Sequence, residues 1–181
     1  MKHTLFSFLL LMVVVSLKAQ QTQASAKEIM KDACQQATKE NKNVFVMFHA
    51  SWCVWCHRMD TSMNDASCKK FFEDSYVIRH MVVDESAPKK NLETPGAAEM
   101  KIKFNGDGQG IPFWLVFDKD GNLLADSKMR KEGEGPEKGD NAGCPATDKE
   151  VNFFIEVLKK TSAITREQSE IIRKRFREND K

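Results

Sequence analysis

The stretch HASWCVWCHRMD, His49 to Asp60, holds two cysteines three residues apart, with a histidine directly after the second. Read as C-x-x-C-H, Cys53-Val54-Trp55-Cys56-His57 is the attachment pattern of a c-type haem. Read as C-x-x-C alone, Cys53 and Cys56 form a redox dithiol. The flanking sequence separates the two. Val44 to Phe48 (VFVMF) is a short unbroken apolar run of strand formers, and it reads as a buried strand that leads straight into the motif. A c-type haem pocket is normally built from helices, with Met59, Met63, Met81 or Met100 as candidate second ligands here, so the buried strand weighs against haem. A single C-x-x-C with no second ligand pair also falls short of a closed four-ligand zinc site, and no metal is expected.

Working outward, Lys27 to Asn41 places Ile29, Met30, Ala33, Cys34 and Ala37 on one face with helical spacing. Arg58 to Phe72 reads as helix with a break near Asn64-Asp65. Tyr76 to Val83 is a second strand. Glu85 to Gly96, with Pro88 and Pro95, is a loop, and Ala97 to Phe104 a short helix. Ile111 to Phe117 is a third strand with proline near its start, where proline is tolerated. Asp118 to Gly121 is a hairpin turn, and Asn122 to Asp126 the returning strand. Lys128 to Pro145, rich in Gly, Pro, Lys and Glu, reads as a long exposed loop. Thr147/Glu150 and Thr165/Gln168 are capping boxes. They open a helix over Val151 to Lys160 and a last one with Ile171, Ile172 and Phe176 turned inward. This alternation predicts an α/β fold, a central mixed β-sheet flanked by helices with an extra C-terminal helix.

At the N-terminus, Lys2 and His3 precede an apolar run from Leu5 to Val15, and small Ala19 closes a short polar stretch. That is the pattern of a secretory signal peptide over residues 1–19, too short for a comfortable membrane span. Residues 20–164 are then the main domain and 165–181 a helical extension. Removing Lys2 and Lys18 leaves 26 basic against 26 acidic residues. Zero net charge gives no basis for binding nucleic acid or an anionic membrane, and the Arg173-Lys174-Arg175 run is read as a solvated helix face.

The order of these elements carries a resemblance. A strand runs into Trp52-Cys53-x-x-Cys56, which opens a helix; Gly110-Ile111-Pro112 leads into the next apolar strand; a hairpin strand follows Asp120-Gly121. From about Val44 to Lys160 the chain resembles the thioredoxin-fold family, and its WCVWCHRMD form is similar to exported bacterial thioredoxin-like proteins. The resemblance implies a thiol–disulfide oxidoreductase with protein thiol or disulfide substrates and no bound cofactor. It also implies a cis Ile111-Pro112 bond against the dithiol, presenting backbone to a substrate strand. A reductase would draw electrons from a membrane thiol donor. The expected protein is a periplasmic or otherwise exported monomer with no stable membrane association. Oxidase or isomerase chemistry, a c-type cytochrome and a non-catalytic binding module are the alternatives. The chain departs from the family in having Met47 where thioredoxins carry a buried acid, and Val-Trp between the cysteines.

At a helix N-terminus Cys53 is expected to be the nucleophile, its thiolate favoured by free N–H groups and the helix dipole. Cys56, nearly a turn later and more buried, is the resolving thiol. Trp52 shields the sulfurs and, with Ile111 and Pro112, forms the substrate surface. His57 is a candidate charge for tuning the thiolate, while His49 and His80 read as ordinary strand residues near the functional end. Of the other three cysteines, Cys34 reads as core packing. Cys68 and Cys144, in polar surroundings, are a candidate structural disulfide tying the 128–145 loop to the helix after the motif.

Overall fold

A computed structural model describes residues 23–181; the signal peptide expected over residues 1–19 lies outside them. Helix α1, Ala26–Glu40, is closed at its start by a reciprocal capping box between Ser25 and Glu28, and at its end by Asn41 in the left-handed conformation. Strand β1, Asn43–His49, follows. Helix α2, Val54–Met63, is N-capped by Cys53, and α3, Lys69–Ser75, begins after the break at 64–68. Strand β2, Tyr76–Val82, leads to a 3-10 turn over Ala87–Leu92 and to α4, Ala97–Lys103. Strands β3, Phe113–Phe117, and β4, Leu123–Asp126, form the hairpin. A two-stranded ribbon of β5, Lys128–Met129, and β6, Asp140–Asn141, precedes α5, Asp148–Thr161, and α6, Arg166–Arg177. Both capping boxes read from the sequence are formed. Among the described residues no helix is long and apolar enough to cross a membrane.

The four-stranded sheet runs β2-β1-β3-β4. β1 pairs parallel with β2 and antiparallel with β3, which makes the sheet mixed. The VFVMF run is continuous because both faces of the sheet are covered. Side chains alternate along a strand. Phe45 and Met47 therefore join Trp114, Phe72, Phe154 and Phe176 on the side of α2, α5 and α6. Val44, Val46 and Phe48 join Leu115, Phe117, Ala33 and Ala37 on the side of α1 and α4.

Two readings of the sequence are corrected. Ile171 is exposed, while Ile172 and Phe176, four residues apart on one helical stripe, are buried. The segment 128–145 is not simply an exposed loop. It carries the β5–β6 ribbon, and its Lys128, Ala142 and Cys144 are buried. Its composition misleads because Lys128 works as an internal donor. The buried ammonium lies 2.7 Å from the Glu137 carbonyl and 3.2 Å from that of Asn105, satisfying loop carbonyls that would otherwise need water.

Helix α6 shares the main core through Phe176, whose ring centroid is 5.0 Å from that of Phe154. Phe176→Ala is therefore expected to lower stability by about 3–5 kcal/mol, with unfolding still a single transition. Urea denaturation of the variant measures this, and a loss below about 0.5 kcal/mol would mean that α6 is an independent appendage.

Candidate redox site

The site forms where β1 ends and α2 begins. After His49 the chain turns through Ala50 and Ser51, and the Cys53 N–H donates to the Ala50 carbonyl at 3.1 Å. Cys53 then caps α2: its Sγ accepts the Cys56 N–H at 3.1 Å, and its carbonyl accepts the Cys56 and His57 N–H groups. The two sulfurs are bonded to one another, with Cα atoms 5.3 Å apart. A sulfur in the N-cap position receives the donors that a serine or aspartate oxygen would take there, and it feels the positive end of the helix. Cys53 is 3% exposed and Cys56 0%, so an incoming group reaches Cys53 first.

The Ile111-Pro112 bond is cis, as the resemblance implied, and the Ile111 carbonyl oxygen lies 3.6 Å from Cys53 Sγ. Ala50, Cys53, Cys56 and Ile111 form a small apolar cluster of their own. Around it Trp52, Val54 and Trp55 are exposed. The Trp52 ring is tethered by its Nε1–H to the Asp84 carbonyl at 2.8 Å. The Trp55 ring lies under the Arg58 guanidinium at 4.7 Å. Arg58 in turn donates to the Asn179 carbonyl, tying the C-terminal segment to the active-site helix. His57 stays on the surface with Nε2 3.2 Å from the Ser51 carbonyl.

The face below the dithiol differs from the family pattern as the sequence indicated. Met47 is buried and registers with His80 on β2 and Trp114 on β3. The ionisable groups on this flank are instead His49, His80 and Asp60. His80 Nε2 is 2.8 Å from Asp60 Oδ1, and the two imidazole centroids are 5.3 Å apart, edge to face. Burial holds His49 below the usual histidine pKa. Among the described residues no three His, Cys, Asp or Glu side chains converge to hold a metal ion.

Two polar residues that hold the site together were not singled out from the sequence. Glu85 accepts the Ser51 N–H at 2.5 Å and the Ser51 hydroxyl at 3.0 Å, fixing the turn before Cys53. That backbone N–H is the main reason its carboxyl sits below the usual range. Asn141, in the misread 128–145 segment, donates to the Gly110 and Pro112 carbonyls. Neither contact leaves a local sequence signal, because each joins residues tens of positions apart.

Cys68 and Cys144 are not joined, which corrects the expected pairing. Both are buried in the aromatic core rather than in polar surroundings. Each sulfur has another neighbour: Ser67 Oγ at 3.5 Å from Cys68, and Asn179 Nδ2, which donates to Cys144 at 3.4 Å. Cys34 lies half-buried at the edge of the α1 core.

A family model described as thioredoxin-like matches residues 19–119, and the chain belongs to that family. No curated protein matches the chain. Three solved structures are similar to it. A disulphide isomerase from Xylella fastidiosa Temecula1 is 22% identical, with 62% of this chain and 79% of that one covered, at a TM-score of 0.46. A DsbH oxidoreductase is 21% identical, covering 76% and 83%, at 0.39. A thiol:disulfide interchange protein of the thioredoxin family from Chlorobium tepidum TLS is 24% identical, covering 53% and 75%, at 0.34.

The free thiols give a direct check of this geometry. Burial pushes the Cys144 thiol up to about 12 and raises Cys68 and Cys34 as well. A raised thiol pKa means less thiolate, so at pH 8 reactivity falls to the most accessible sulfur. In the oxidised folded protein one thiol, Cys34, is expected to react with iodoacetamide, and all three in urea. Mass spectrometry of the alkylated protein counts them.

Proposed function

We propose that the protein exchanges thiols and disulfides with protein substrates through Cys53 and Cys56, working as a reductase in an exported compartment. The observation that carries the reading is Cys53 Sγ at the N-cap of α2, accepting the Cys56 N–H, beside the open Ile111 carbonyl and in front of a fully buried Cys56. That placement favours negative charge on the one sulfur a partner can reach.

In the reductive direction the Cys53 thiolate attacks one sulfur of a substrate disulfide. The substrate S–S bond breaks, and the departing thiolate takes a proton from solvent. The mixed disulfide is then resolved by Cys56. Its thiol gives up a proton and its sulfur bonds to that of Cys53, releasing the second substrate thiol. Two electrons pass to the substrate, and the Cys53–Cys56 disulfide is the product. A membrane thiol donor would restore the dithiol. Export rests on the signal-peptide pattern of residues 1–19. The exposed apolar rim of Trp52, Val54 and Trp55 suits protein partners, which meet such a rim with apolar side chains of their own.

Cys53→Ser is expected to abolish insulin reduction driven by dithiothreitol. Cys56→Ser is expected to accumulate a substrate-linked mixed disulfide, visible on a non-reducing gel. Insulin reduction that persists in Cys53→Ser at the wild-type rate would make this a binding module. The direction is read from the reduction potential of the pair. About −270 mV supports a reductase, whereas about −120 mV would make the protein an oxidant.

A further inference from the structure

Beyond the β1–α2 turn itself, the main chain of Ile111 comes up against Cys53, with 3.6 Å between its carbonyl oxygen and Cys53 Sγ. Its carbonyl oxygen faces Cys53 Sγ, and among the described residues neither its N–H nor its carbonyl has a main-chain partner. Two residues ahead of β3, Ile111 thus offers a short edge of unpaired main chain in the turn, the kind of surface to which an extended peptide adds by main-chain hydrogen bonding. An edge works this way only if it is held still, because a loose one must be ordered as the peptide binds.

The residues on either side of Ile111 are held by one side chain. Asn141 Nδ2 donates to the Gly110 carbonyl at 2.8 Å and to the Pro112 carbonyl at 3.0 Å, bracketing Ile111 from both sides. Its Oδ1 accepts the Gly143 N–H at 3.1 Å, which fixes which way the carboxamide points. Its own N–H donates to Gln109 Oε1 at 3.2 Å, just before the turn. A carboxamide suits this place because it supplies two donors from one nitrogen and an acceptor from the other arm.

Asn141 is itself anchored. It registers opposite Lys128 in the ribbon, where the buried Lys128 ammonium organises the surrounding loop carbonyls. The next residues are fixed as well: the Ala142 N–H donates to the Ser127 carbonyl, and Trp114 Nε1–H to the Gly143 carbonyl. The clamp therefore hangs from the sheet core rather than from solvent-exposed loop.

We infer that Asn141 is a positioning residue of the redox site: it fixes the Gly110–Pro112 turn so that the Ile111 main chain is offered, beside Cys53, to an extended disulfide-bearing peptide. This rests on the thiol–disulfide reading of the dithiol. The Asn141 side chain hydrogen-bonds to the Gly110 and Pro112 carbonyls and not to the Ile111 carbonyl or the Cys56 N–H that face Cys53 Sγ, so its loss weakens substrate docking and leaves the chemistry at Cys53 in place.

The test is steady-state insulin reduction with dithiothreitol as electron donor, on the wild type, Asn141→Ala and Asn141→Asp. The Asp variant is nearly isosteric and keeps the acceptor for Gly143, but it loses both donors, so it separates the clamp from simple side-chain volume. Both variants are expected to raise KM for insulin about tenfold with kcat unchanged, as for lost substrate binding. The reduction potential of Cys53–Cys56 is expected to stay at the wild-type value. Wild-type KM in folded variants overturns the inference. So does a parallel change of KM, kcat and potential, which would mean a general loss of structure. A wild-type protein that does not reduce insulin would overturn the redox reading itself and this inference with it.

Discussion

Cys53 occupies two positions at once, and the rest of the site depends on this. It is the end of the turn that leaves β1, and it is the N-cap of α2. As the end of the turn it is held just beyond the C-terminal end of a central strand, β1, which pairs with β2 on one side and β3 on the other, so its place relative to β3 and the Ile111-Pro112 bond is set by strand pairing. As the cap it receives the Cys56 N–H on its sulfur. An N-cap sulfur accepts a hydrogen bond best when it carries charge, so the geometry that starts the helix is also the geometry that favours a thiolate.

That arrangement needs a rigid frame. The frame comes from aromatic packing across the sheet: Trp114 lies between Phe45 and Phe154, and Phe154 contacts Phe72 and Phe176 in turn. The packing links β1, β3, α3, α5 and α6 in one core. The C-terminal helix belongs to this core, and the segment after it reaches the active-site helix through Asn179, which meets Arg58, Ser62 and Cys144. The residues added beyond the four-stranded domain therefore support the helix that bears the dithiol.

The polar framework around the site is distributed in the same way. Glu85 holds the turn before Cys53, and Asn141 holds the turn before β3. One comes from the loop after β2, the other from the ribbon between β4 and α5. Each satisfies backbone groups that the strands leave unpaired where they end, which is where a sheet has main-chain donors and acceptors to spare.

Much of this was legible in the residues. The VFVMF run, the capping boxes and the Asp118–Gly121 turn are local signals, since period, cap chemistry and turn chemistry act over a few residues. Cys53 and Cys56 stand out as a C-x-x-C pair at the strand–helix joint that such signals mark, whereas the cis bond at Ile111-Pro112 came only from the resemblance to the thioredoxin-fold family. The inward turn assigned to Ile171 failed because a helix stripe is narrow and the neighbouring Ile172 fills it. The exposed loop assigned to 128–145 failed because a lysine's burial depends on which carbonyls surround it, and composition does not say. The Cys68–Cys144 pairing failed for a related reason: both thiols enter the core, where apolar side chains surround them, and nothing in their local polarity foretells that. By itself, then, the sequence determined the order of the helices and of the four main strands and the identity of the dithiol, since those follow from short-range chemistry, but not the β5–β6 ribbon. Only the tertiary structure decided which distant polar groups, Glu85, Asn141 and Asn179, would brace it, because a hydrogen bond across many residues exists only once the sheet and its core have brought the partners together.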